Sequence, residues 1–499
     1  MVLAWLLLTS LTSLPYLLAH YLPPPGRAFQ GFFFFTDDQQ VYLSNSQQAE
    51  DGAFLFRNKL VSEPHEPALV NLEWWLVGVL SRILGRRPFL AYRIVGALAA
   101  LLLFFVLSRW LRRGGLPDDR LFPALLLLAL GGGFGGLLYA AGWLPVGRCL
   151  DLSTGLFPFV GLVGNPHFTV ATTLFLGSLL SLSESSLRGQ ALGILLGSAL
   201  ALTRPYDFVL LVGLRGAFVA LRYPPREWLA RLCAMAGFLP AVSLNYWLFY
   251  RNSAFAFYAK TPYEFPATLD FAIALLPVAI VATALWRARA PGQAAWEIHL
   301  QLLLWMGFGL FVVLLHPVHY SLQFLMGIGV PLLMSAAIGL SRMGPRALWI
   351  TIAALGTTPI VTLHLLLQPM PAWYPLRERV EVAYALRPVC RIGDLVLAPA
   401  DVGLLIGTLT GCKAYVSHEI QPAFPARTVE LQRFYGAQDP TERAALLDRH
   451  CIRVLVLPGD DDERASRWLP PETTFRRALA VGAGGRAISV YARPSACPP

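Results

Sequence analysis

Asp37 and Asp38 are adjacent carboxylates that follow the aromatic run Phe32 to Phe35, just beyond the first apolar segment of the chain. Side by side at a water interface, such a pair could raise the pKa of one member, coordinate a divalent cation such as Mg or Mn, or take a proton from a hydroxyl. A solvated acidic turn is the plain alternative. Glu63 and Asp151 are reserves for a second acidic role. Arg251 and Lys260 share a polar stretch with Tyr258 and Tyr263, where a cation could pair with an anionic phosphate or anchor the stretch at an interface. Arg204 and Asp207 are i, i+3 neighbours on a helical segment, and charges within an apolar stretch mark either a functional pathway or a mutual pair. The mutual pair is the simpler reading. His167 stands at a probable helix start after Pro166, where capping or packing competes with ligand binding; Pro166 and Pro205 themselves mark helix starts or breaks.

The elements that must position these groups belong to a membrane. Hydrophobic residues make up 56% of the chain and charged residues 14%, the mean hydropathy is +0.54, and a soluble domain carries about a quarter charged residues. Apolar runs fill residues 1 to 368, whereas Asp, Glu and Arg return at ordinary density after Met370. The expected architecture is a polytopic α-helical membrane domain over 1–368, with a first polar loop over 23–88, and a small soluble α/β domain over 370–499. The first run, Val2 to Leu22, lacks a basic start and a small-residue cleavage site, so a retained helix is expected rather than a signal peptide. Further spans are expected at 89–108, 121–141, 158–182, 191–204, 206–221, 229–250, 268–286, 298–315, 320–340 and 347–368, for about eleven in all. Residues 191 to 204 would reach only about 21 Å, so the segments around Arg204 read as a short hairpin or one broken helix. Within the polar loop, Leu69 to Leu84 with Trp74 and Trp75 suits a helix in the interface.

The net charge of +10 gives no support to nucleic acid binding, because the arginines sit in short loops rather than along one face. Alternate loops hold Arg109, Arg112, Arg113 and Arg120, then Arg188, Arg222 and Arg226, Arg287 and Arg289, and Arg342 and Arg346. These should face the cytoplasm of an inner membrane, which puts the N-terminus inside and places the Asp37 loop and the C-terminal domain outside. An odd number of crossings follows, which favours the hairpin. In the tail, Asp394–Ala398 and Ile452–Leu457 suit buried strands, Thr441–His450 suits a helix, and Phe475 to Tyr491 suits a closing strand pair. No Walker loop or GxGxxG is present. The six cysteines show no zinc spacing, and the four in the tail imply at most one disulfide.

A first helix, a long outer loop opening on an acidic pair, many further helices and an outward soluble domain resemble the GT-C superfamily, whose members transfer sugars from polyprenyl-phosphate donors. Thr36-Asp37-Asp38-Gln39 through Tyr42-Leu43, then Ala49 to Gly52, Ser62-Glu63-Pro64 and Asn71, are similar to the loop of bacterial RgtA/B/C/D-like glycosyltransferases. Asn165-Pro166-His167-Phe168, Arg204-Pro205-Tyr206-Asp207, Val396 to Pro399, Thr410-Gly411 and Ala414 to His418 extend the resemblance. It implies a base or metal-ligand role for Asp37 or Asp38, hexosyl or pentosyl transfer to an envelope glycan, lipid or protein, and a tail that helps hold that acceptor or caps the fold. Where related sequences often carry an arginine near the outer end of a late helix, this chain offers His316, His319 and Tyr320. A lipid or glycan transporter would show internal repeats, and none is seen; a non-catalytic envelope-assembly protein is the third reading.

Overall fold

The computed structural model describes the chain except residues 35, 64, 154, 185, 253–263, 287–292, 419–420, 422, 437–438, 459–474, 483–487 and 495–499. A backbone in lipid must satisfy its own N–H and C=O groups, so the apolar runs form helices. Among the described residues six are long and apolar enough to cross a membrane: Val2–Tyr21, Pro88–Arg113, Pro225–Arg251, Ala295–Leu315, Ser321–Ser341 and Pro345–Leu366. The other expected crossings are shorter or interrupted apolar helices, namely Leu121–Leu130 with Gly135–Ala140, Pro158–Gly164 with Pro166–Leu182, Leu187–Thr203, Pro205–Arg222 and Thr268–Trp286. On Pro88–Arg113, Val95, Ala99 and Leu103 are buried while Leu98, Leu102 and Phe105 are exposed. A helix apolar on its outward side as well as its inward one has lipid as its solvent. The chain is a multi-pass membrane protein.

The span expected over 121–141 is one of the interrupted ones. A Cβ on Gly132 would lie 2.1 Å from Thr358 Oγ1, and one on Gly133 would lie 2.3 Å from the Ala274 carbonyl oxygen. Gly132 and Gly133 let bare backbone pass between its neighbours where a helix with side chains would not fit. The segments around Arg204 form a hairpin. Ser178 donates to Gly193 O, a Cβ on Gly193 would touch Leu182, and Arg215 donates to Leu182 O at 2.8 Å. Residues on both sides of Arg204 therefore return to the same turn of the preceding helix. Arg113 pairs with Glu184 at 2.8 Å, Arg222 with Glu297 at 3.1 Å, and Arg120 donates to Ser341 O, which gathers arginine-rich loops at one end of the bundle.

We label Val2–Tyr21 α1, Thr36–Glu50 α2 and Leu72–Ile83 α3. The polar stretch after α1 is built rather than open, because α2 places Asp37 and Asp38 in its first turn, where carboxylates complement the exposed N–H groups. Its buried side chains are mostly polar, including Gln39, Gln40, Ser44, Asn45 and Glu50, so hydrophobic periodicity gives no sign of it. α3 falls within the helix expected over 69–84 and is capped by Asn71, whose Oδ1 accepts from the Trp74 N–H at 3.1 Å. The two helices cross closely at Gly78, where a Cβ would lie 2.3 Å from Ser46 O.

The tail is the expected α/β unit. Leu395–Leu397 (β1), Lys413–Ala414 (β2), Ile452–Pro458 (β3), Arg476–Val481 (β4) and Ile488–Ala492 (β5) form a sheet of order β2-β1-β3-β5-β4. β1 runs parallel to β2 and β3, whereas β5 is antiparallel to β3 and β4. Val396 packs with Val402, Leu405 and Ile406 of helix Ala400–Leu409, while Leu397 packs with Leu431, Phe434 and Leu447 on the other face. Both faces are covered, as parallel strands require. Cys390 and Cys412 form a disulfide.

Helix Ala400–Leu409 lies directly on α2. Ser44 donates to Gly407 O at 2.9 Å, Thr408 to Gln40 O at 3.2 Å, and Ser417 to Leu60 O at 3.1 Å. Lys59 Nζ donates to Thr410 O at 2.7 Å, and Lys413 Nζ to Glu63 O at 3.0 Å. The polar loop and the tail thus share one face of the molecule.

Candidate active site

Between α2, α3 and the bundle lies a cavity of about 410 Å³. α2 contributes Asp38, Val41, Tyr42 and Asn45, whose i, i+3, i+4, i+7 spacing is one face of a helix. Asp37 is not part of that wall. It is exposed and accepts a bond from Thr36 Oγ1, so the structure separates the two members of the acidic pair. Asp38 is half exposed, and His418 of the tail stands 3.9 Å from it.

Two X-Pro corners bring the bundle's polar groups to the same cavity. Asn165 and Arg204 are held extended, at φ −153° and −145°, because proline excludes the helical region for the residue before it. Each proline then starts a helix. Asn165 accepts from Tyr92 Oη at 2.7 Å and from the His167 N–H. His167 lines the cavity, and its Nδ1 lies 2.5 Å from the buried carboxylate of Glu73. Tyr42 stacks on Trp74 at 4.9 Å and lies 5.4 Å from the His167 ring, forming an aromatic wall.

Arg204 is buried in the lining and forms an ion pair with Asp207, which stands behind it. It also donates to Gln323 Oε1 at 2.7 Å and to Gln323 O at 3.0 Å. The mutual-pair and site readings of Arg204 therefore describe the same arrangement: a paired cation, held on several sides, that borders the cavity. Desolvation makes such a charge untenable without these partners.

The remaining candidates lie elsewhere. Glu63 is at the seam with the tail and accepts from Arg427 at 3.2 Å. Arg251 ends the helix that supplies Asn245 and Phe249 to the cavity, but its guanidinium lies 4.9 Å over the Trp247 ring. Lys260, Tyr258 and Tyr263 lie outside the described residues. His316 and His319 are exposed and absent from the lining; His316 stacks on Phe265 at 3.8 Å. Their neighbour Tyr320 packs on Tyr206 of the cavity wall at 5.2 Å. Asp151 accepts from Gly136 N and Thr358 Oγ1 within the bundle. Among the described residues no three His, Cys, Asp or Glu side chains stand close enough to hold a metal ion, so a Mg or Mn ion at Asp38 finds no third side-chain donor of these types there. Glu73, Trp74, Gln323 and His418 were not among the sequence candidates. The signal for the first two was their place in the first turn after the cap Asn71.

Two solved structures share the overall fold. ArnT from Cupriavidus metallidurans bound to undecaprenyl phosphate matches with a TM-score of 0.54 at 14% identity, over 99% of this chain and 99% of that one. The chain has the GT-C fold. The archaeal oligosaccharyltransferase AglB from Archaeoglobus fulgidus, in complex with an inhibitory peptide and a dolichol-phosphate, matches with a TM-score of 0.50 at 12% identity, over 91% of this chain and 69% of that one. Comparison with family models gives no match, and comparison with curated proteins gives none. In this GT-C fold the cavity opens where the first polar loop meets the bundle, with Asp38 on one wall and Arg204 on the other.

Proposed function

We propose that the chain is a membrane glycosyltransferase that moves a hexose or pentose from a polyprenyl-phosphate donor to a hydroxyl of an envelope glycan, lipid or protein on the outer face. The observation that carries this reading is that a carboxylate, Asp38, and a buried guanidinium, Arg204, border one cavity at the edge of an apolar bundle. The polyisoprenyl phosphates held by both structural neighbours support a donor of that class. Arg204, steadied by Asp207 and Gln323, faces the donor phosphate. Asp38 takes the proton of the attacking hydroxyl as the new glycosidic bond forms. The sugar's bond to the phosphate oxygen breaks, its electron pair stays on that oxygen, and polyprenyl phosphate leaves. The outward orientation rests on the arginine-rich loops at the opposite end of the bundle and on the tail's disulfide, which suits an oxidising compartment.

The test is transfer from radiolabelled polyprenyl-phosphate sugars in membranes carrying the chain. Label should move to an acceptor fraction and polyprenyl phosphate should accumulate. If no such donor is consumed while a labelled lipid changes leaflet, the protein is a transporter. If neither occurs, it is a non-catalytic assembly protein.

A further inference from the structure

A second cavity, of about 320 Å³, lies on the opposite side of α2 from Asp38. Gln40 of α2 and Thr408 of the tail border it, while Asp38, Val41, Tyr42 and Asn45 border the first cavity, so the helix separates the two. Its polar wall is cationic. His20 comes from the last turn of α1, Arg27 from the strand-like segment after it, and Arg377 from the start of helix Arg377–Ala385. Arg27 Nη1 donates to Tyr374 O at 2.6 Å, and neither arginine forms an ion pair with a carboxylate among the described residues. Glu381 is the acidic member of the lining. The lining also includes the apolar side chains Phe29, Phe89 and Leu405.

The cavity opens at the end of α1, a helix long and apolar enough to cross a membrane, where Tyr21 and Leu22 are 74% and 72% exposed. Two guanidiniums that form no ion pair among the described residues, at the end of a membrane-length apolar helix and beside apolar side chains, match a phosphate that carries acyl chains. Arginine's fork suits phosphate oxygens, and its charge draws anionic headgroups. We propose that this cavity binds the phosphate of an anionic phospholipid headgroup, seating the lipid at the seam between α1, the polar loop and the tail. The site is distinct from the donor cavity and stands whether or not the chain transfers sugar.

The full chain in nanodiscs of zwitterionic phospholipid, titrated with phosphatidylglycerol, gives the test, with retained anionic lipid counted by native mass spectrometry. Affinity should fall about fivefold for each arginine removed, in R27Q and in R377Q. Arg377 is exposed, so R377Q and R377E keep the measurement readable if loss of the Arg27–Tyr374 bond harms folding. R251Q, at an exposed arginine outside both cavities, should leave retention unchanged. Equal retention by R377E and the parent would overturn the proposal. Displacement of the lipid by inorganic phosphate at equal concentration would also overturn it, in favour of a free-phosphate site.

Discussion

Asp37 and Asp38 are neighbours in sequence with different surroundings, and the difference is testable. D38N keeps the shape of the side chain and removes its basicity, so transfer should fall about a hundredfold to ten-thousandfold, whereas D37N should stay near the parent. Rates of both variants at matched expression check this, and a silent D38N would return the pair to a solvated helix start. His418 stands 3.9 Å from Asp38 without lining the cavity, and on the proposed function it would position that carboxylate. Because Asp38 is half exposed and solvent screens the pair, H418Q should slow kcat only about threefold to tenfold. In a D38N background the same change should add almost nothing, since its effect passes through Asp38; an additive loss would make His418 a structural residue of the tail. Arg204 needs a different design. R204Q leaves Asp207 buried and alone, which costs about 3 to 5 kcal/mol, while R204Q/D207N removes both charges. The double variant should recover thermal stability and still fail to bind a polyprenyl-phosphate sugar. Parental binding by it would remove Arg204 from the site.

At the scale of elements, the membrane helices are legible because each follows from a local run of apolar residues, and β1 and β3 because each is a short apolar run, whereas β2, Lys413–Ala414, carries no such run. α2 is not legible. Its buried side chains include Gln39, Gln40, Ser44, Asn45 and Glu50, on more than one side of the helix, and a helix buried through polar side chains carries no hydrophobic period. Nor are the breaks at Gly131–Gly133, whose cause is the approach of Thr358 and Ala274 from far along the chain. The acidic pair was visible as a motif, yet which member meets the cavity depended on the helix that carries it. The contact between α2 and the tail also predicts a pH dependence. Lys59 is buried at that contact, and burial pushes its amine down to about 7, with Asp51 and Arg387 acting in opposite senses. Between about pH 7 and 10.5 the unfolded amine holds a proton that the folded one has lost, so stability rises with pH across that window and falls as pH drops through it. A neutral amine keeps two N–H groups, enough for its bonds to Gln47 Oε1 and Thr410 O. Protection of the tail amides in hydrogen exchange should increase from pH 7 to 9, and K59M should flatten the trend.

At the scale of the whole molecule, the loop and the tail touch, which places them on one side of the membrane, and the arginine pattern predicts that side to be external. In a C233S/C451S/C497S background, Q432C should react with a membrane-impermeant maleimide on intact cells and R346C only after permeabilisation. The reverse result would put the cavity in the cytoplasm and remove the argument for an inverted lipid donor. The stitching of tail to loop has a further consequence, for the biogenesis of the protein. The bond from Thr408 to Gln40 joins residues 368 apart, so at ordinary synthesis rates α2 waits about 20 to 70 s on the ribosome's schedule before its covering partner exists. During that interval its amide-rich inner face is wetted and His418 has not yet been made. A chain stalled before the tail would therefore lack both the cover of α2 and His418, and on the proposed function its donor cavity would stay incomplete until residues 400 to 418 had folded onto the polar loop.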